Sequence, residues 1–454
     1  SQLTSVTDPL NHTTQLGRDA LGNLTGITDP LTNTTTIINN AAGLPTSIAP
    51  PSLPAMQLGY AAGDLTSITD PLGNTLQRLT DSAGRLVRVT LPLGQSIRHE
   101  YDALNELLRV TDPLNAVTSL SYDPNGNLLS LTDARSNATG YAYDNMDRLA
   151  SRTDPLLRVE SHEYDAGWNL TRFTDRKSQA TNVVYDSLSR PTQVTFADQS
   201  TITYTWDAGN RLTQLTDSLA GTVSWTYDGL NRMLSETTPQ GAVSYTYDAA
   251  GRRATMTVAG QQTVSYTYDN ANRLTQITQG TATVSLTHDT AGRRGSLTLP
   301  NGVVVTYGYD VASQLTSMVW TNGANTLGNL TYAYDANGRR TQMGGSFARV
   351  NLPVALGSAT HNAANQVTQW GTTSLTHDNN GNLTSDGTNG YAWDARDQLS
   401  SITGGASATF QYDGIGRRVR NAAGTAFLYD GLNAVQELSG STVTANLLTG
   451  FGID

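Results

Sequence analysis

The sequence contains no cysteine and only one lysine, Lys177, among its 454 residues. Without cysteine, a disulfide framework, thiolate catalysis and cysteine-ligated zinc are all excluded. The absence leaves the cellular compartment open, because extracellular proteins can also fold without disulfides. Stability must come from packing, hydrogen bonds and ion pairs.

Charge is also scarce, and what is present is mostly negative. Charged residues make up 15% of the chain, with 28 basic against 38 acidic residues and a net charge of −10. A protein that binds nucleic acid needs clustered Lys and Arg to neutralise phosphates, and the sequence has no such cluster. We therefore expect no nucleic-acid partner.

Long apolar runs are missing as well. No stretch approaches the roughly 20 apolar residues of a transmembrane helix, and no charged and apolar leader opens the chain. We expect no membrane span. The chain starts at Ser1 rather than Met, which favours a fragment of a larger protein.

No sustained helical periodicity appears, and the abundance of threonine favours strands and turns over helices. A single hydrophobic core stops growing at about 250–300 residues. A chain of this length must therefore divide into domains or consist of repeats.

One short pattern recurs along the whole chain and occurs, for example, at Tyr143–Leu149 and Tyr268–Leu274. With its aromatic residue as the anchor, the sequence divides into 21 units, and the anchors from Tyr101 to Tyr227 are 21 residues apart. The spacing becomes irregular after Tyr309. We predict a single repeat domain over residues 1–454, regular in 1–333 and less regular in 334–454.

Each anchor precedes a turn. Aspartate follows it in 18 of 21 units, and Gly or Asn stands three residues further on in 16. Aspartate at the first position of a type I turn accepts backbone hydrogen bonds, and Gly or Asn tolerates the left-handed conformation. The acidic residues are therefore interpreted as turn residues rather than as a patch for a basic partner.

Strands flank the turns. Val243–Tyr247 alternates large and hydroxyl side chains with period two, as a half-buried strand does. Arg211–Thr216 reads as a partner strand, but Leu212 and Leu215 are three residues apart, which predicts a bulge or a boundary between them. A second turn, often Asp-Pro as at Asp154, closes the unit because proline cannot donate to the ladder.

Two strands per unit predict an all-β fold, a long antiparallel hairpin sheet. Open twisted sheets rarely exceed about ten strands without curling or splitting, so this one must coil or close. No helices are available to cover its apolar face. Aromatic residues at 7% are few for a solid interior, which favours a sheet that spirals into a hollow, barrel-like shell.

The repeated Tyr-Asp-x-x-Gly/Asn-Arg-Leu-Thr pattern, as in Tyr268–Thr275, resembles the YD-repeat, or Rhs-repeat, family over essentially the whole chain. That family includes the shell region of bacterial Rhs polymorphic toxins, the C component of insecticidal toxin complexes, and teneurins. The resemblance implies a hollow cocoon that encloses a toxic C-terminal domain. That domain would be the partner of this chain and is not part of it.

The resemblance also implies secretion from a bacterium or display on its surface, with a secretion-system component or a cell-surface carbohydrate as further partners. Two alternatives stay open. One is an extracellular adhesion or carbohydrate-binding protein, which requires the anchor tyrosines to face solvent. The other is a self-assembling structural element that pairs through its unpaired edges.

Family members that release their cargo carry an Asp-Pro-x-Gly segment after the repeats, whereas this chain stops at Phe451–Asp454. Asp70–Gly73 and Asp123–Gly126 match the short motif, but both occupy regular turn positions. We interpret them as turns and assign autoproteolysis to no residue.

The histidines do not form a recognisable site. His288, His361 and His377 stand in anchor positions, which indicates packing in place of tyrosine, and His99 and His162 are three repeat lengths apart. No His-Glu-x-x-His, phosphate loop or Gly-x-Ser-x-Gly motif occurs. We expect no enzyme, and assign no catalytic, cofactor-binding or metal-binding residue and no cofactor.

Arginine occupies the position four residues after the turn aspartate in many units, for example at Arg148 and Arg211. We expect each of these arginines to pair with the turn aspartate of a neighbouring unit.

Overall fold

The computed structural model describes residues 2–349, 357–421 and 423–448, so Ser1 and Phe451–Asp454 lie outside the described residues. Within those three ranges the regular secondary structure consists of β-strands without a helix. Accordingly, this part of the chain has no helix that is long and apolar enough to cross a membrane. The all-β prediction is confirmed.

Most strands belong to one 33-stranded antiparallel sheet. Its strands are β1 (Ser5–Thr7), β2 (Thr13–Arg18), β3 (Leu24–Thr28), β4 (Thr34–Asn39), β5 (Pro45–Ala49), β6 (Met56–Ala61), β7 (Asp64–Thr69), β8 (Thr75–Thr80), β9 (Leu86–Thr90), β10 (Ser96–Tyr101), β11 (Leu107–Thr111), β12 (Val117–Tyr122), β13 (Leu128–Thr132), β14 (Ala138–Tyr143), β15 (Leu149–Thr153), β16 (Val159–Tyr164), β17 (Leu170–Thr174), β18 (Ala180–Tyr185), β19 (Pro191–Thr195), β20 (Thr201–Trp206), β21 (Leu212–Asp217), β22 (Gly221–Tyr227), β23 (Met233–Thr238), β24 (Gly241–Tyr247), β25 (Arg253–Val258), β26 (Val264–Tyr268), β27 (Leu274–Gln279), β28 (Ala282–His288), β29 (Arg294–Thr298), β30 (Val303–Tyr309), β31 (Leu315–Asn322), β32 (Asn325–Tyr334) and β33 (Arg340–Gly344). Strands that follow one another along the chain pair side by side, as β20 does with β21 and β21 with β22. The predicted long hairpin sheet is thereby confirmed.

Three smaller antiparallel sheets follow, and their strands are mostly shorter. Their strands are β34 (Ala359–His361), β35 (Val367–Trp370) and β36 (Thr373–Ser374); β37 (Thr376–His377), β38 (Leu383–Ser385), β39 (Asn389–Trp393), β40 (Leu399–Gly404) and β41 (Ala408–Thr409); and β42 (Gln411–Tyr412), β43 (Arg418–Arg420), β44 (Thr425–Asp430), β45 (Asn433–Ser439) and β46 (Thr442–Asn446). The last strand of the 33-stranded sheet ends at Gly344, and the three smaller sheets lie in the part of the chain where the anchors are irregularly spaced.

The chain forms two compact units. Unit 1 comprises Ser1–Val117, Thr246–Met256 and Gln262–Asn351, and unit 2 comprises Thr118–Tyr245, Thr257–Gln261 and Leu352–Asp454. In unit 1 the buried apolar side chains include Met256, Val264, Tyr266, Ile277 and Val305. In unit 2 a buried cluster is formed by Ile202, Leu215, Val223 and Trp225.

Most turns after an anchor are organised by an aspartate. At Asp269 the backbone N–H of Asn272 donates to the Asp269 carbonyl at 3.0 Å, and the Asp269 N–H donates to the Arg273 carbonyl at 2.9 Å. The Asp269 carboxylate accepts the N–H groups of Ala271 and Arg273 at 2.9 and 3.0 Å. Asn272 has φ 64°, in the left-handed region. This is a type I turn followed by a bulge, as the sequence predicts.

The Asp-Pro turns at the other ends of the strands use the same arrangement. The Asp154 carboxylate accepts the N–H groups of Leu156 and Arg158 at 2.9 and 3.0 Å, and Leu157 has φ 64°. Proline is predicted to end the strand pairing here, and the aspartate carboxylate supplies the hydrogen bonds of the turn. Aspartate in fact closes both kinds of turn.

The two Asp-Pro-x-Gly matches are ordinary members of this set. Gly73 and Gly126 each have φ 86°, and the carboxylates of Asp70 and Asp123 accept backbone N–H groups of their own turns. Their interpretation as turns is confirmed.

The strands have one apolar and one hydroxyl face. In β22, Val223 and Trp225 are 1% and 7% exposed. Thr226 points to the other face, where its hydroxyl lies 2.6 Å from that of Ser235 across the strand pair. The period-two prediction is confirmed.

A bulge explains the spacing of Leu212 and Leu215. Trp206 stands opposite Leu212 and Thr205 opposite Gln214, so Thr213 is the extra residue. The bulge places both leucines on the side of the anchor aromatic rather than on opposite faces.

Candidate functional surface: the turn seam

The aromatic anchor side chains donate hydrogen bonds that link a hairpin to the preceding one. The Tyr227 hydroxyl donates to the Leu212 carbonyl at 2.8 Å, and the Trp206 Nε1–H donates to the Pro191 carbonyl at the same distance. In each case the acceptor lies 15 residues earlier, at the bulge of the preceding unit. Burial of the ring raises the pKa of Tyr227, which keeps the hydroxyl a donor.

The repeated arginine makes a second link. Arg211 Nε lies 2.7 Å from Asp207 Oδ2 within its own turn, and Arg211 Nη1 donates to the Asp228 carbonyl of the next turn at 2.9 Å. Its guanidinium also stacks 5.1 Å from the centre of the Tyr227 ring. The expected pairing with the neighbouring carboxylate is wrong, because that carboxylate is already occupied by the groups of its own turn.

In unit 2 the turns of late hairpins lie against turns and strand ends of early hairpins, and we call this contact the turn seam. Its early side consists of the turns beginning at Asp133, Asp154, Asp175 and Asp217 together with Glu236 and Tyr245. Its late side consists of the turns beginning at Asn362, Asp378, Asp394, Asp413 and Asp430. The residues that meet across the seam are 179 to 232 residues apart in sequence, so the path of the sheet builds the seam rather than local hairpins.

At one end of the turn seam the contacts are exposed. Arg135 Nη1 donates to Asn365 Oδ1 and Arg135 Nη2 to the Asn362 carbonyl, both at 2.9 Å. Asn365 Nδ2 donates in return to Asp133 Oδ2 at 3.2 Å. Hydrogen bonds from the Asn137 backbone and side chain, with a smaller contribution from Asn365, lower the pKa of Asp133 to about 2.

The next contact along the turn seam involves Lys177, the single lysine of the chain. Lys177 Nζ lies 2.9 Å from Asp397 Oδ1 and 3.5 Å from Asp378 Oδ2. Asn380 Nδ2 bridges to Asp175 Oδ2 at 2.6 Å and to Asp397 Oδ2 at 2.8 Å. Partial burial opposes protonation of the lysine, but its bonds to Asp397 and Asp378 raise the pKa of Lys177. The charge of the lysine is thus neutralised across the seam.

Further along, the ion pairs become buried. Arg396 holds the Asp217 carboxylate with two nitrogens, Nη1 at 2.5 Å and Nη2 at 3.0 Å, and donates to Ser200 Oγ at 3.1 Å. The side chains of Arg396 and Asp217 are 8% and 0% exposed. The Arg396 guanidinium also lies 4.4 Å from the centre of the Phe196 ring. Such two-point pairs have fixed geometry as well as charge.

The most buried pair joins Arg417 and Glu236. Arg417 Nη1 donates to Glu236 Oε1 and Trp225 Nε1 donates to Glu236 Oε2, each at 2.8 Å. Arg417 Nε also lies 2.7 Å from Asp413 Oδ2 in its own turn. Burial acts to lower the pKa of Arg417, but the carboxylates of Glu236 and Asp413 outweigh it and raise the pKa.

One close packing contact and one further buried hydrogen bond lie at this end of the turn seam. Gly414 lies so close to Leu215 that a Cβ at this glycine would overlap the leucine side chain. The Tyr245 hydroxyl donates to Asp430 Oδ1 at 2.9 Å, with both groups buried. A larger residue at Gly414 would therefore require the Leu215 side chain to move.

Unit 1 contains a contact of the same kind. Asn337, in the turn of β32 and β33, donates through Nδ2 to Gln95 Oε1 at 3.1 Å, and the Leu93 N–H donates to Asn337 Oδ1 at 3.2 Å. A late turn again lies on an early turn, here the turn that begins at Leu91.

The histidines occupy the predicted places on strands. His288, His361 and His377 stand across the bulge from Arg294, Val367 and Leu383, as the anchor tyrosines do; His99 and His162 are paired with Val110 and Phe173. Burial lowers the pKa of His288, so its ring is neutral near pH 7. Across the described ranges, no group of three His, Cys, Asp or Glu residues is arranged to hold a metal ion.

The turn seam was not predicted, although the sequence contains one signal for it. Arg135, Lys177 and Arg396 each stand two residues after a turn aspartate, a position where Leu72, Leu114 and Leu156 occur in other turns. A basic residue at a turn tip marks a turn that contacts another turn.

A long antiparallel sheet of consecutive Tyr-Asp hairpins, linked by hydrogen bonds from the anchor side chains, defines a β-repeat protein. The model described as RHS Repeat matches residues 1–34, 81–117, 122–159 and 185–222, and the model described as Teneurin YD-shell matches 219–305 and 302–430. The chain belongs to the YD-repeat, or Rhs-repeat, family.

The curated relatives include the tRNA nuclease WapA of Bacillus subtilis (strain 168), 37% identical over 121 residues, and the tRNA(Glu)-specific nuclease WapA of Bacillus subtilis subsp. natto (strain BEST195), 39% identical over 89 residues. These matches cover 24% and 18% of the chain but only 5% and 4% of the relatives. The chain therefore resembles a small part of each.

Solved structures show the same fold at low identity. The TcdB2-TccC3-TEV crystal structure has a TM-score of 0.58 at 16% identity, and covers 94% of this chain and 26% of its own. The Tc holotoxin pore of Photorhabdus luminescens has a TM-score of 0.61 at 13% identity, and covers 96% of this chain and 32% of its own. The chain thus spans about a quarter to a third of these neighbours.

Proposed function

We propose that this chain is part of the shell of a secreted bacterial Rhs-type toxin, and that the sheet winds around an enclosed volume to hold and help deliver a C-terminal toxin domain. The observation that carries the proposal is the turn seam. Late turns that lie against early turns bring two stretches of the same hairpin ribbon side by side, as in a wound sheet, whereas an open ribbon makes no such contact.

Membership of the YD-repeat family and the shared fold of the Tc components support the same proposal. The relatives named as tRNA nucleases match this chain over a small fraction of their length. In the proposed toxin, the repeats enclose the toxin domain, and that domain performs the chemical reaction. We therefore propose a non-catalytic shell, located outside the bacterial cell or on its surface, whose main partner is the enclosed domain. A secretion-system component is a further partner in this proposal.

The adhesion alternative receives less support from the anchors. It requires the anchor tyrosines to face solvent, whereas Tyr143, Tyr185 and Tyr227 are partly buried and use their hydroxyls within the sheet. A carbohydrate platform would need those rings and hydroxyls free.

The test uses the full-length gene product. The coding sequence beyond Asp454 is read, the complete protein is purified, and its digestion by a nonspecific protease is followed by mass spectrometry. We expect an unrelated downstream domain that resists digestion while the shell is intact. Arg396→Ala combined with Arg417→Ala, which breaks two buried pairs of the turn seam, should expose that domain to cleavage, whereas Arg339→Ala should not. Rapid digestion of the downstream domain in the intact protein, or a coding sequence without such a domain, would contradict the proposal.

A further inference from the structure

Two arginines stand directly opposite each other on the hydroxyl face of unit 1. Arg88 in β9 and Arg98 in β10 are register partners, and both side chains are exposed. Side chains paired in this way have their Cβ atoms about 4.5–5.5 Å apart, and like charges at that distance destabilise the strand pair. The neighbouring positions on this face carry the uncharged Ser67, Gln77 and Thr90 on one side of the pair, and Glu100 with its partner Arg109 on the other.

Among the residues that the structure describes, neither guanidinium has a counter-ion within ion-pair distance. Arg85, one turn earlier, pairs with Asp81, and Arg109 lies 3.5 Å from Glu100. Arg88 and Arg98, in contrast, form no hydrogen bond or ion pair with any residue that the structure describes. Each retains five donors in a planar fork, so the repulsion between them is uncompensated in the protein itself.

An open groove of about 370 Å³ adjoins Arg88, and Arg98 stands opposite Arg88 on the next strand, outside the wall of the groove. Its wall includes Arg88 together with hydroxyl and amide groups from Ser67, Gln77 and Thr90, and it also contains Leu79. Leu79 is 47% exposed and faces Arg88 across β8 and β9. The groove therefore combines positive charge, hydrogen-bonding groups and one apolar contact.

We propose that Arg88 and Arg98 form a carboxylate-binding site, and that its ligand is an acidic peptide segment lying in this groove. One carboxylate placed between the two guanidiniums receives two-point hydrogen bonds and removes their mutual repulsion. The hydroxyl and amide groups of Ser67, Gln77 and Thr90 suit the polar backbone of a peptide, and Leu79 suits an apolar side chain beside the acid.

A nucleic acid fits the same surface poorly. Phosphate backbones are bound by extended stripes of Lys and Arg, because affinity grows with each neutralised phosphate. Here the local positive charge is limited to a few arginines with Glu100 among them, in a chain of net charge −10. An isolated carboxylate matches this pattern, and a polyanion does not. This inference does not depend on the proposed enclosure of a toxin.

The test measures fluorescence polarisation of a short labelled peptide of alternating Glu and Ser at low salt, with the Gln-Ser peptide as the probe control. Arg88→Gln combined with Arg98→Gln should weaken binding of the Glu peptide by about tenfold or more, the effect of losing one charge-assisted contact. Arg172→Gln is the matched control. Arg172 is an exposed arginine on the hydroxyl face of β17, 3.9 Å from Glu163, and its loss should leave binding unchanged.

A second readout separates binding from structure. Arg88→Gln should leave the melting temperature unchanged or raise it, because the substitution removes a like-charge pair. The proposal fails if the Glu peptide does not bind at millimolar concentration, if the Gln peptide binds equally well, or if Arg172→Gln weakens binding as much as the double variant. Equal or stronger binding of a single-stranded oligonucleotide would replace the peptide assignment with a general polyanion surface. A lower melting temperature of Arg88→Gln would assign the arginine a structural role.

Discussion

The guanidinium of Arg417 donates to the carboxylate of Glu236 at 2.8 Å across 181 residues of sequence. Their side chains are 4% and 7% exposed. The second oxygen of Glu236 accepts the indole N–H of Trp225, so both ionised groups are satisfied in a buried place. This pair fixes the packing of a late hairpin on an early one.

Arg417→Ala should strongly destabilise the protein. Removing one partner of a buried pair leaves the other charge uncompensated, which costs about 3–5 kcal/mol. Urea unfolding followed by tryptophan fluorescence measures the change. Arg339→Ala is the control, since Arg339 pairs with Asp335 in an equivalent turn but is 66% exposed, and exposed pairs contribute little. Equal effects of the two substitutions would show that Arg417 and Glu236 are not buried together.

Tyr227→Phe should reduce the free energy of unfolding by about 0.5–1.5 kcal/mol, because the Leu212 carbonyl loses its hydroxyl donor inside the sheet. Tyr307→Phe is the matched control. Tyr307 stands two residues before the anchor Tyr309, and within the described residues its hydroxyl has no hydrogen-bond partner. Urea midpoints of both variants check the prediction. A Tyr307→Phe loss as large as that of Tyr227→Phe would mean that the anchor bond contributes nothing specific.

The melting temperature should fall in acid. The pKa of Asp133 is lowered in the fold from 3.8 to about 2, chiefly by hydrogen bonds from Asn137. A carboxylate with a depressed pKa stabilises the folded state above its unfolded pKa, and this contribution is lost as the pH falls through the folded value. Many turn aspartates have lowered pKa values, for instance Asp269 and Asp289, where hydrogen bonds from the turn arginine outweigh the opposing effect of burial.

We therefore expect melting temperatures that are steady above about pH 5 and decline between about pH 4 and pH 2. Scanning calorimetry over this range is the measurement. Asp133→Asn, which keeps the turn acceptor but cannot titrate, should show a slightly shallower decline. A decline centred near pH 6.5 would instead implicate the histidines.

Lys177 offers a chemical probe of the turn seam, because it is the single lysine of the chain. Its ion pairs with Asp397 and Asp378 raise its pKa, so less of the reactive amine is present at a given pH. An amine-reactive ester should modify Lys177 several times more slowly in the folded protein than in urea, as read by mass spectrometry of the peptide. Asp397→Asn should speed the reaction. Labelling at the same rate in both states would place Lys177 outside the seam.

Local residues predict much of this fold. Asp269 and Asn272 predict a turn, Val223 and Trp225 predict the buried face of a strand, and the spacing of Leu212 and Leu215 predicts a bulge. Each of these features depends on neighbours within a few positions. The pairing of consecutive strands follows from the same information, since short turns join antiparallel neighbours.

The turn seam could not be derived in this way. The partnership of Arg417 with Glu236, or of Lys177 with Asp397, depends on how the twist of many strands accumulates, and small changes in twist per strand alter which turns meet. The expectation for Arg211 was wrong for a related reason. The sequence places Asp207 and Asp228 within reach of this arginine, but it does not show which of the two carboxylates still has an oxygen free to accept a hydrogen bond.

The account depends most on late turns lying against early ones, and a cross-linking experiment tests this directly. The natural absence of cysteine allows Gln95→Cys and Asn337→Cys to be introduced as the sole thiols, at side chains that share a 3.1 Å hydrogen bond across 242 residues of sequence. Dibromobimane, which fluoresces when it joins two nearby thiols, should react to give a fluorescent intramolecular product. Gln95→Cys with Ala83→Cys is the control, because the five-residue strand Leu86–Thr90 separates these turns by about 17 Å. Efficient cross-linking of the first pair and not of the second is the predicted result, and failure of the first pair in the folded monomer would contradict the account.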